Sequence, residues 1–498
     1  MKSSAGMERA IDTRSAVAIN VITMIGIGPL ITIPLVLATL GGSLALLGWI
    51  GGAVVALCDG LVWAELASRF PRSGGTYVYL RESFGHARLG RVLAFLFNWQ
   101  FLLYAPCLLA SGYIGFADYA TYLVPGLGSW WGMHACALGI GSVTIVLLLR
   151  RTSRVAATSL LLGAIAVLTL TLVAVAALTH ANWHMAMQLP GPVRFGTGLL
   201  AGFSSALFVT LYDYVGYADV ALVGDEVREP NRTIPRSIVI SVLLVAGLYV
   251  ALQSGVLSVI PWRSLVGADG TPTAASQYVG SLVIERTWGV LAARIVTGLV
   301  LVTAFASLYG NLLGFSRIPF AAARDGAFFP AFARLHPDKH IPETALLAVG
   351  GLSLVASFFT LGEVIAFLTA GIVLIQSIMQ IVALALVRRR GPAPFRMPLY
   401  PLPAIVALVG WILAFAYTGP LAIAIGVGWL VLGIAAYLVL ARAQRAWPFA
   451  AAVATLLLLL LPRPSLAAPA GAWATWHASR VVQMDGYPVF EVDGKPFF

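Results

Sequence analysis

A series of long apolar runs, separated by short basic segments, constrains this chain more than any other feature. A helix of about 20 apolar residues can cross the hydrocarbon core of a bilayer. Such runs must be helical, because lipid offers backbone groups no hydrogen-bond partners. The sequence therefore predicts an all-α polytopic membrane protein with twelve spans, near residues 16–39, 44–66, 90–114, 132–149, 156–179, 197–222, 237–260, 289–313, 343–359, 362–387, 403–419 and 422–441.

The composition excludes several other classes of protein. Only 10% of the 498 residues are charged, whereas a soluble domain usually carries about 25%. A soluble enzyme of this size, a fibrous protein and a disordered protein are therefore excluded. The net charge of +11 does not indicate nucleic-acid binding, since the basic residues stand in short runs between apolar stretches and not on one face. We expect no nucleic-acid partner.

The sequence contains no residue pattern that is typical of an enzyme or of a metal site. The cysteines, Cys58, Cys107 and Cys136, lie in apolar segments and lack the spacing of a disulfide framework or of metal ligands. A nucleophile elbow, a phosphate-binding loop and paired catalytic carboxylates are also missing from the sequence. We therefore expect no catalytic residues, no metal and no cofactor.

The distribution of Lys and Arg predicts the orientation of the chain. With the N-terminus in the cytoplasm, most of the 31 basic residues fall in cytoplasmic segments, as the positive-inside rule requires. The others are Arg194, Arg263, Arg286, Arg294, Arg463, Arg480 and Lys495. The basic charge is then a topology signal that faces anionic lipid headgroups. We expect a multi-pass protein of a bacterial-type cell (inner) membrane, with a cytoplasmic tail at 1–15.

Two spans contain residues that interrupt a helix. In the first span, the segment Gly26–Pro29 has two glycines that make unwinding easy, and its proline lacks an N–H group and clashes with the preceding turn. The backbone N–H groups at the start of the second half-helix would favour an anion. In the sixth span, Asp213 and Asp219 are costly in lipid unless they face a cavity or a partner, and Gly216 permits a break.

The two interruptions lie five spans apart, at matching places in two halves of the chain. Because five is odd, the second half starts from the opposite side of the membrane, so the halves have inverted topology. Interrupted helices in such repeats indicate a transporter site at the repeat interface. We expect repeats near 16–180 and 197–387, although simple kinks in both helices would give the same pattern.

Motifs in the first span and in three loops resemble those of one family of transporters. The segment 26–28 (Gly-Ile-Gly) stands where the family has its Gly-small-Gly break. The segments 63–77, 225–236 and 316–326 resemble the family's motifs after the second, sixth and eighth spans. Together these motifs make the chain similar to the amino acid–polyamine–organocation superfamily over roughly 10–440.

The resemblance implies a LeuT-like fold, in which spans 1–5 and 6–10 form inverted repeats and spans 11 and 12 are peripheral. It also implies a small zwitterionic substrate and an aromatic gate at Tyr212. Helix termini carry matching partial charges, since an N-terminus favours anions and a C-terminus favours cations. The residues implied to bind the substrate are Gly26, Ile27 and Gly28 for its carboxylate, and Met24, Tyr212 and Val215 for its ammonium.

Three departures from the family's pattern bear on the substrate and on coupling. Pro29 removes one backbone donor beside the expected carboxylate site. Asp213 replaces a small neutral residue; it would bind a second positive charge, carry a proton, or simply face a neighbouring helix or water. No lysine lies within a span, which rules out the lysine-based proton relay of some relatives. If H+ or Na+ is the coupling ion, the candidate carboxylates are Asp59, Asp213 and Asp219.

These features predict secondary active transport of amino acids or related amines by alternating access, coupled to a cation, in a transporter domain at 16–441. An exchanger of the same fold is one alternative. A transporter-like membrane sensor that signals through its C-terminal tail is another. The expected partners are a small-molecule substrate and membrane lipids, and no pattern indicates an oligomeric state.

The end of the chain departs from the transporter pattern. Segment 442–462 has a basic start, a short apolar core and small residues after it, which is typical of a secretory signal peptide. In an internal position it would act as a thirteenth span and leave 463–498 outside the cytoplasm. We expect that tail to be a short appendage or a truncated fusion, with two short strands around a turn within Asp485–Phe498.

A topology reporter tests the thirteenth span. Alkaline phosphatase fused after Phe498 is expected to be active, because the enzyme folds only outside the cytoplasm. The same reporter fused after Arg445 is the matched control and is expected to be inactive. An inactive fusion after Phe498 would mean that 442–462 does not cross the membrane.

Overall fold

The computed structural model describes residues 9–72, 74–86, 88–150, 155–191, 196–337, 339, 341–444, 447–448, 479–484, 487–492 and 495–497. The chain divides into two units, Met1–Gln444 and Arg445–Phe498. The start of the predicted cytoplasmic tail, 1–8, lies outside the described residues. The same holds for the predicted thirteenth span beyond Pro448 and for 463–478 of the tail.

The first unit is built from helices, in agreement with the prediction. The described helices are α1 (Thr13–Met24), α2 (Gly28–Leu40), α3 (Ala45–Arg69), α4 (Thr76–Phe84), α5 (Leu89–Leu123), α6 (Trp130–Leu148), α7 (Val155–Thr179), α8 (Trp183–Ala186), α9 (Thr197–Tyr214), α10 (Pro230–Val259), α11 (Trp262–Leu265), α12 (Val279–Trp288), α13 (Val290–Arg324), α14 (Glu343–Ala356), α15 (Leu361–Ile372), α16 (Ile378–Arg388), α17 (Leu402–Ala416) and α18 (Pro420–Ala443).

The lengths and apolar character of these helices agree with a multi-pass membrane protein. Among the described residues, 8 helices are long and apolar enough to cross a bilayer, and the bent pair α1 and α2 raises the number to 9. Three shorter apolar helices are Gly163–Thr179, Glu343–Ala356 and Leu402–Ala416. Each of the predicted spans therefore has a helical counterpart, and α15 and α16 form one span through the π-helical turn Val373–Ser377.

The first span is broken near its middle, as the sequence predicted. α1 ends at Met24 and α2 begins at Gly28, and the two helices are bent by 56°. Pro29 lies in the first turn of α2, where its missing N–H group costs no intrahelical hydrogen bond. The proline that prevents a continuous helix is thus well placed to start the second one.

The sixth span is also broken, but it continues in another form. α9 ends at Tyr214, Val215 is extended, and Gly216 has a φ of 110°, in the left-handed region that favours glycine. The chain then forms a 3-10 helix over Asp219–Glu226. The sequence predicted the break, whereas it gave no sign of this tighter continuation.

The spans before and after the two breaks pack together. α1 packs on α10, α2 on α9, and α3 on both α9 and α10. Glycines allow the close approach of α3 and α9, because a Cβ on Gly48 would lie 2.9 Å from Ala206 and one on Gly52 would lie 2.6 Å from Thr210. A second set of contacts joins α5 to α6, α13, α14 and α15.

A buried ion pair joins the end of α3 to the end of α16. The Glu65 side chain has 0% exposure, and both of its oxygens accept from Arg388, with Nε at 2.8 Å. Arg69 donates to the same carboxylate at 3.3 Å, and the Met397 backbone N–H donates at 2.8 Å. One residue of the loop motif 63–77 thus ties two spans together.

In the second unit, the described residues form a three-stranded antiparallel sheet with the order β1 (Ser479–Met484), β2 (Tyr487–Val492) and β3 (Lys495–Phe497). Met484 pairs with Tyr487, and Val492 pairs with Lys495. The two predicted strands correspond to β2 and β3. The prediction omitted β1, because it began at Asp485, after the last residue of this strand.

Removal of the Glu65 charge tests the contribution of the buried ion pair between Glu65 and Arg388 to stability. In Glu65→Gln, two partly buried guanidinium groups lose their counter-charge, and breaking a buried ion pair from one side costs about 3–5 kcal/mol. We expect a clearly lower melting temperature of the purified protein in detergent. Arg232→Ala is the matched control, because Arg232 pairs with Glu229 while their side chains are 75% and 74% exposed, and exposed pairs contribute little. Equal melting temperatures for both variants would contradict this role of Glu65.

Candidate substrate site

A cavity of about 50 Å³ lies between the two helix breaks. Seven lining residues are those that the sequence assigned to the substrate: Met24, Gly26, Ile27, Gly28, Tyr212, Asp213 and Val215. The other lining residues come from α1, α5 and α13: Thr23, Leu108, Gly112, Ala304, Ser307, Leu308 and Asn311. The structure thus brings all the predicted residues to one cavity, and their binding of a solute stays a prediction.

A tyrosine from α10 joins the two breaks. Tyr249 is fully buried, and its hydroxyl lies 2.8 Å from the Met24 carbonyl oxygen and 3.1 Å from that of Asp213. Both carbonyls are in the last turn of a helix, where intrahelical donors are missing. The hydroxyl therefore partners peptide groups that the breaks release. A carbonyl oxygen has two lone pairs, so Met24 keeps one for the ammonium group assigned to it.

Two polar side chains of α1 hold the break in the sixth span. The Asn20 side-chain oxygen accepts from the backbone N–H of Val220 at 2.9 Å. The Thr23 hydroxyl lies 3.2 Å from the Gly216 carbonyl oxygen. A Cβ on Gly216 would lie 3.0 Å from the Thr23 backbone, so the close approach also requires glycine. These contacts fix the two unwound segments against each other.

The Asp213 carboxylate lies against the start of α2. Its Oδ2 accepts from the Thr32 hydroxyl at 2.5 Å, and the residue is only 3% exposed. Its Oδ1 has no hydrogen-bond partner within the described part of the chain. A Cβ added to Gly28 would collide with this Oδ1. Asp213 thus contacts α2 and also borders the cavity, and its binding of a positive charge or a proton stays a prediction.

The predicted aromatic gate is held in place by the third span. Tyr212 is 7% exposed, and its hydroxyl shares a hydrogen bond of 2.7 Å with the Ser111 hydroxyl of α5. A Cβ on Gly28 would also lie 3.3 Å from the Tyr212 ring. The ring therefore packs against the first-span break from the sixth span.

The other two candidate coupling residues lie outside the central cavity. Asp219 lines a second cavity of about 60 Å³, on the side of the protein where α1 begins, and Thr23, Val215 and Asn311 line both cavities. Asp59 is buried and lines neither of these cavities. Its carboxylate accepts a hydrogen bond from the Tyr217 hydroxyl. The three carboxylates do not form one cluster, and the described residues hold no group of three or more potential metal ligands.

Several polar residues that shape the cavity were missed by the sequence analysis. Thr32 follows Gly28 by one helical turn, and this spacing could have shown that both lie on one face of α2. Asn311 and Ser307 have the same spacing on α13 and are joined by a hydrogen bond of 3.2 Å. No local signal marks Ser111 or Tyr249, since each is one of several polar groups in its span and nothing in the sequence distinguishes it from the others.

A larger cavity of about 770 Å³ lies on the opposite side of the protein. Its walls include Ile31 of α2, Asp118 of α5, and the segment Ser357–Leu361 between α14 and α15. It shares no lining residue with the central cavity. The described structure therefore has a space on each side of the central cavity.

An added methyl group at Gly28 tests whether the central cavity binds the solute. In Gly28→Ala the new Cβ displaces the Asp213 carboxylate, and such overpacking costs about 1–3 kcal/mol. We expect the initial uptake rate at low solute concentration to fall at least about tenfold. Gly310→Ala is the matched control, since a Cβ there meets nothing within 4 Å. Wild-type affinity in folded Gly28→Ala protein would place the solute elsewhere.

Comparisons with known proteins agree with the motifs found in the sequence. A family model described as "Amino acid permease" matches residues 11–461. An uncharacterized transporter of Mycobacterium tuberculosis is 30% identical over 439 residues, which cover 86% of this chain and 91% of that protein.

Relatives with assigned substrates are more distant. A serine/threonine exchanger of Bacillus subtilis is 25% identical over 418 residues, which cover 81% of this chain and 90% of that protein. Cationic amino acid transporter 4 of Mus musculus is 26% identical over 391 residues, which cover 74% of this chain and 58% of that protein. The family match spans nearly the whole chain and confirms the resemblance found in its motifs. The chain belongs to the amino acid permease family.

Proposed function

We propose that this protein carries amino acids or related amines across a bacterial-type inner membrane by secondary active transport. The family and its transporter-named relatives point to a transporter and not to an enzyme. The observation that carries the proposal is the central cavity, because it lies between two spans whose helices are interrupted. Broken helices of this kind supply backbone groups to a solute within the membrane.

The proposed architecture is a LeuT-like pair of inverted repeats, 16–180 and 197–387, with α17 and α18 at the periphery of the domain 16–441. One observation supports it. The breaks fall in the first and sixth spans, and each of these is the first span of a proposed repeat. Under the proposed orientation, the tail 1–15 and the second cavity face the cytoplasm, and the large cavity and 463–498 face outward.

Alternating access is the proposed mechanism. α1–α3, α9 and α10 would rock as a bundle against the scaffold that contains α5 and α13. The bundle helices pack on one another, and α5 packs on α6, α13, α14 and α15, which supports this division. The cavities above and below the central site would then open in turn, while Tyr212 covers the solute from the sixth span.

The solute's ammonium group is proposed to meet the carbonyls of Met24, Tyr212 and Val215, at the C-terminal ends of α1 and α9. These ends carry partial negative charge, which favours a cation. The segment Gly26–Gly28, at the positive end of α2, would face the solute's negative or polar end. A small-molecule substrate and membrane lipids are the partners proposed for this site and its surroundings.

Coupling to H+ or Na+ is proposed to use one of the buried carboxylates, Asp59, Asp213 or Asp219. Asp213 lies in the central cavity, and Asp219 lies beside the pathway toward the second cavity. An ionised carboxylate within a span is costly, so each would bind a cation or a proton readily. Asp59 is the weakest candidate, because Tyr217 and the surrounding helices separate it from both cavities.

Exchange is the second candidate function. The similarity to a serine/threonine exchanger favours it, at 25% identity. An exchanger needs no coupling ion, because export of a second solute brings the protein back to its outward-facing conformation. A sensor that signals through residues 446–498 is the remaining alternative.

Uptake by purified protein in proteoliposomes tests these functions. A panel of labelled amino acids and amines is offered with an imposed H+ gradient, a Na+ gradient, neither gradient, or internal unlabelled solute. For a coupled transporter we expect accumulation under one gradient, and for an exchanger we expect uptake only with internal solute. Protein-free liposomes are the control.

Two outcomes would reject parts of the proposal. No accumulation of any solute under any gradient or preload would reject transport. Loss of uptake after deletion of 446–498, with the protein still folded, would favour the sensor, since the transporter domain is expected to work without that tail.

A further inference from the structure

We propose that Asp213 occupies the place of a substrate carboxylate, so that the solute is an organic amine with no carboxylate beside its ammonium group. This inference rests on the proposed transport function and narrows its substrate class. It depends on the position of one carboxylate relative to the start of α2.

The start of α2 favours an anion, and this chain supplies one. The first N–H groups of a helix lack intrahelical partners and carry partial positive charge. Gly28 is the first residue of α2, and the Asp213 Oδ1 fills the space in which a Gly28 side chain would lie. A carboxylate of the sixth span therefore already lies beside the first-span break, where a solute carboxylate would approach.

The carboxylate is fixed and one of its oxygens is unused. The Thr32 hydroxyl holds Oδ2 at 2.5 Å, and the Tyr249 hydroxyl lies 3.1 Å from the Asp213 carbonyl oxygen. Asp213 is only 3% exposed and borders the central cavity. Its Oδ1 has no hydrogen-bond partner among the residues described. The free oxygen thus lies beside the central cavity, at the start of α2.

The cavity contains no positive group that would offset this charge. None of its described lining residues is Lys, Arg or His. The hydroxyl of Ser307 and the side-chain amide of Asn311 stand on the α13 wall and offer oxygen acceptors to an N–H donor. Acceptors and a carboxylate around a small enclosed space are the complement of an ammonium group.

A solute with its own carboxylate would meet Asp213 at the start of α2. Two carboxylates that share a buried site repel each other, and like charges placed together cost several kcal/mol. An amine avoids this cost and gains a charge pair with Oδ1. The expected preference for the amine over the matching amino acid is at least about 30-fold.

Matched pairs that differ only in the carboxylate test the assignment: tyramine and tyrosine, histamine and histidine, cadaverine and lysine. Dissociation constants and initial uptake rates are measured for wild-type protein, Asp213→Asn and Thr32→Val. We expect wild-type protein to prefer the amine of at least one pair, and Asp213→Asn to lose at least about 30-fold in affinity for it. Thr32→Val keeps the charge and is expected to keep the preference, with weaker binding.

The outcomes separate this inference from the proposed transport function. Amino acids that bind as tightly as their amines, with or without an accompanying proton, overturn the assignment but leave transport intact. An unchanged amine affinity in Asp213→Asn also overturns it. If neither series binds or is taken up, both proposals fail. If Asp213→Asn does not fold, the wild-type comparison within each pair decides.

Discussion

The structure depends on the need to satisfy backbone hydrogen-bonding groups within the membrane. An unbroken helix meets that need by itself, whereas a broken helix leaves carbonyl and N–H groups that only other parts of the protein can partner. In this chain, Tyr249 serves the carbonyls at the ends of α1 and α9, and Asn20 serves the backbone of the 3-10 segment after α9. Breaking both spans is therefore possible only where α1, α9 and α10 meet.

The same constraint explains the chemistry of the cavity. Its polar character comes from peptide groups at helix ends and from a few short side chains, with one carboxylate among them. Such groups are pre-oriented by the helices that carry them, so that they need little reorganisation around a solute. When it is ionised, Asp213 adds a full charge to a site whose other contributions are partial charges, and it then dominates the electrostatics of the small space.

Much of this arrangement could be predicted from the sequence, because membrane spans and helix breaks have local signals. Apolar runs gave the spans, and Gly26–Pro29 and Gly216 gave the two breaks. The partners of the breaks could not be predicted, since Tyr249 and Ser111 reach the site only through the packing of distant spans. The roles of the acidic residues were also unresolved, because sequence alone did not tell that Asp213 faces the cavity while Asp59 contacts Tyr217.

The tie between Glu65 and Arg388 limits which parts of the protein can move separately. The carboxylate receives four donors at the junction of α3 and α16. Pulling the two helices apart would remove the three donors from Arg388 and Met397 and leave only Arg69, which belongs to α3 itself. Carrying the end of α16 along with α3 avoids that loss. The tenth span would then bend between α15 and α16 during transport. Its π-helical turn at Val373–Ser377 interrupts the regular α-helical hydrogen bonding, so bending at this turn costs the least free energy.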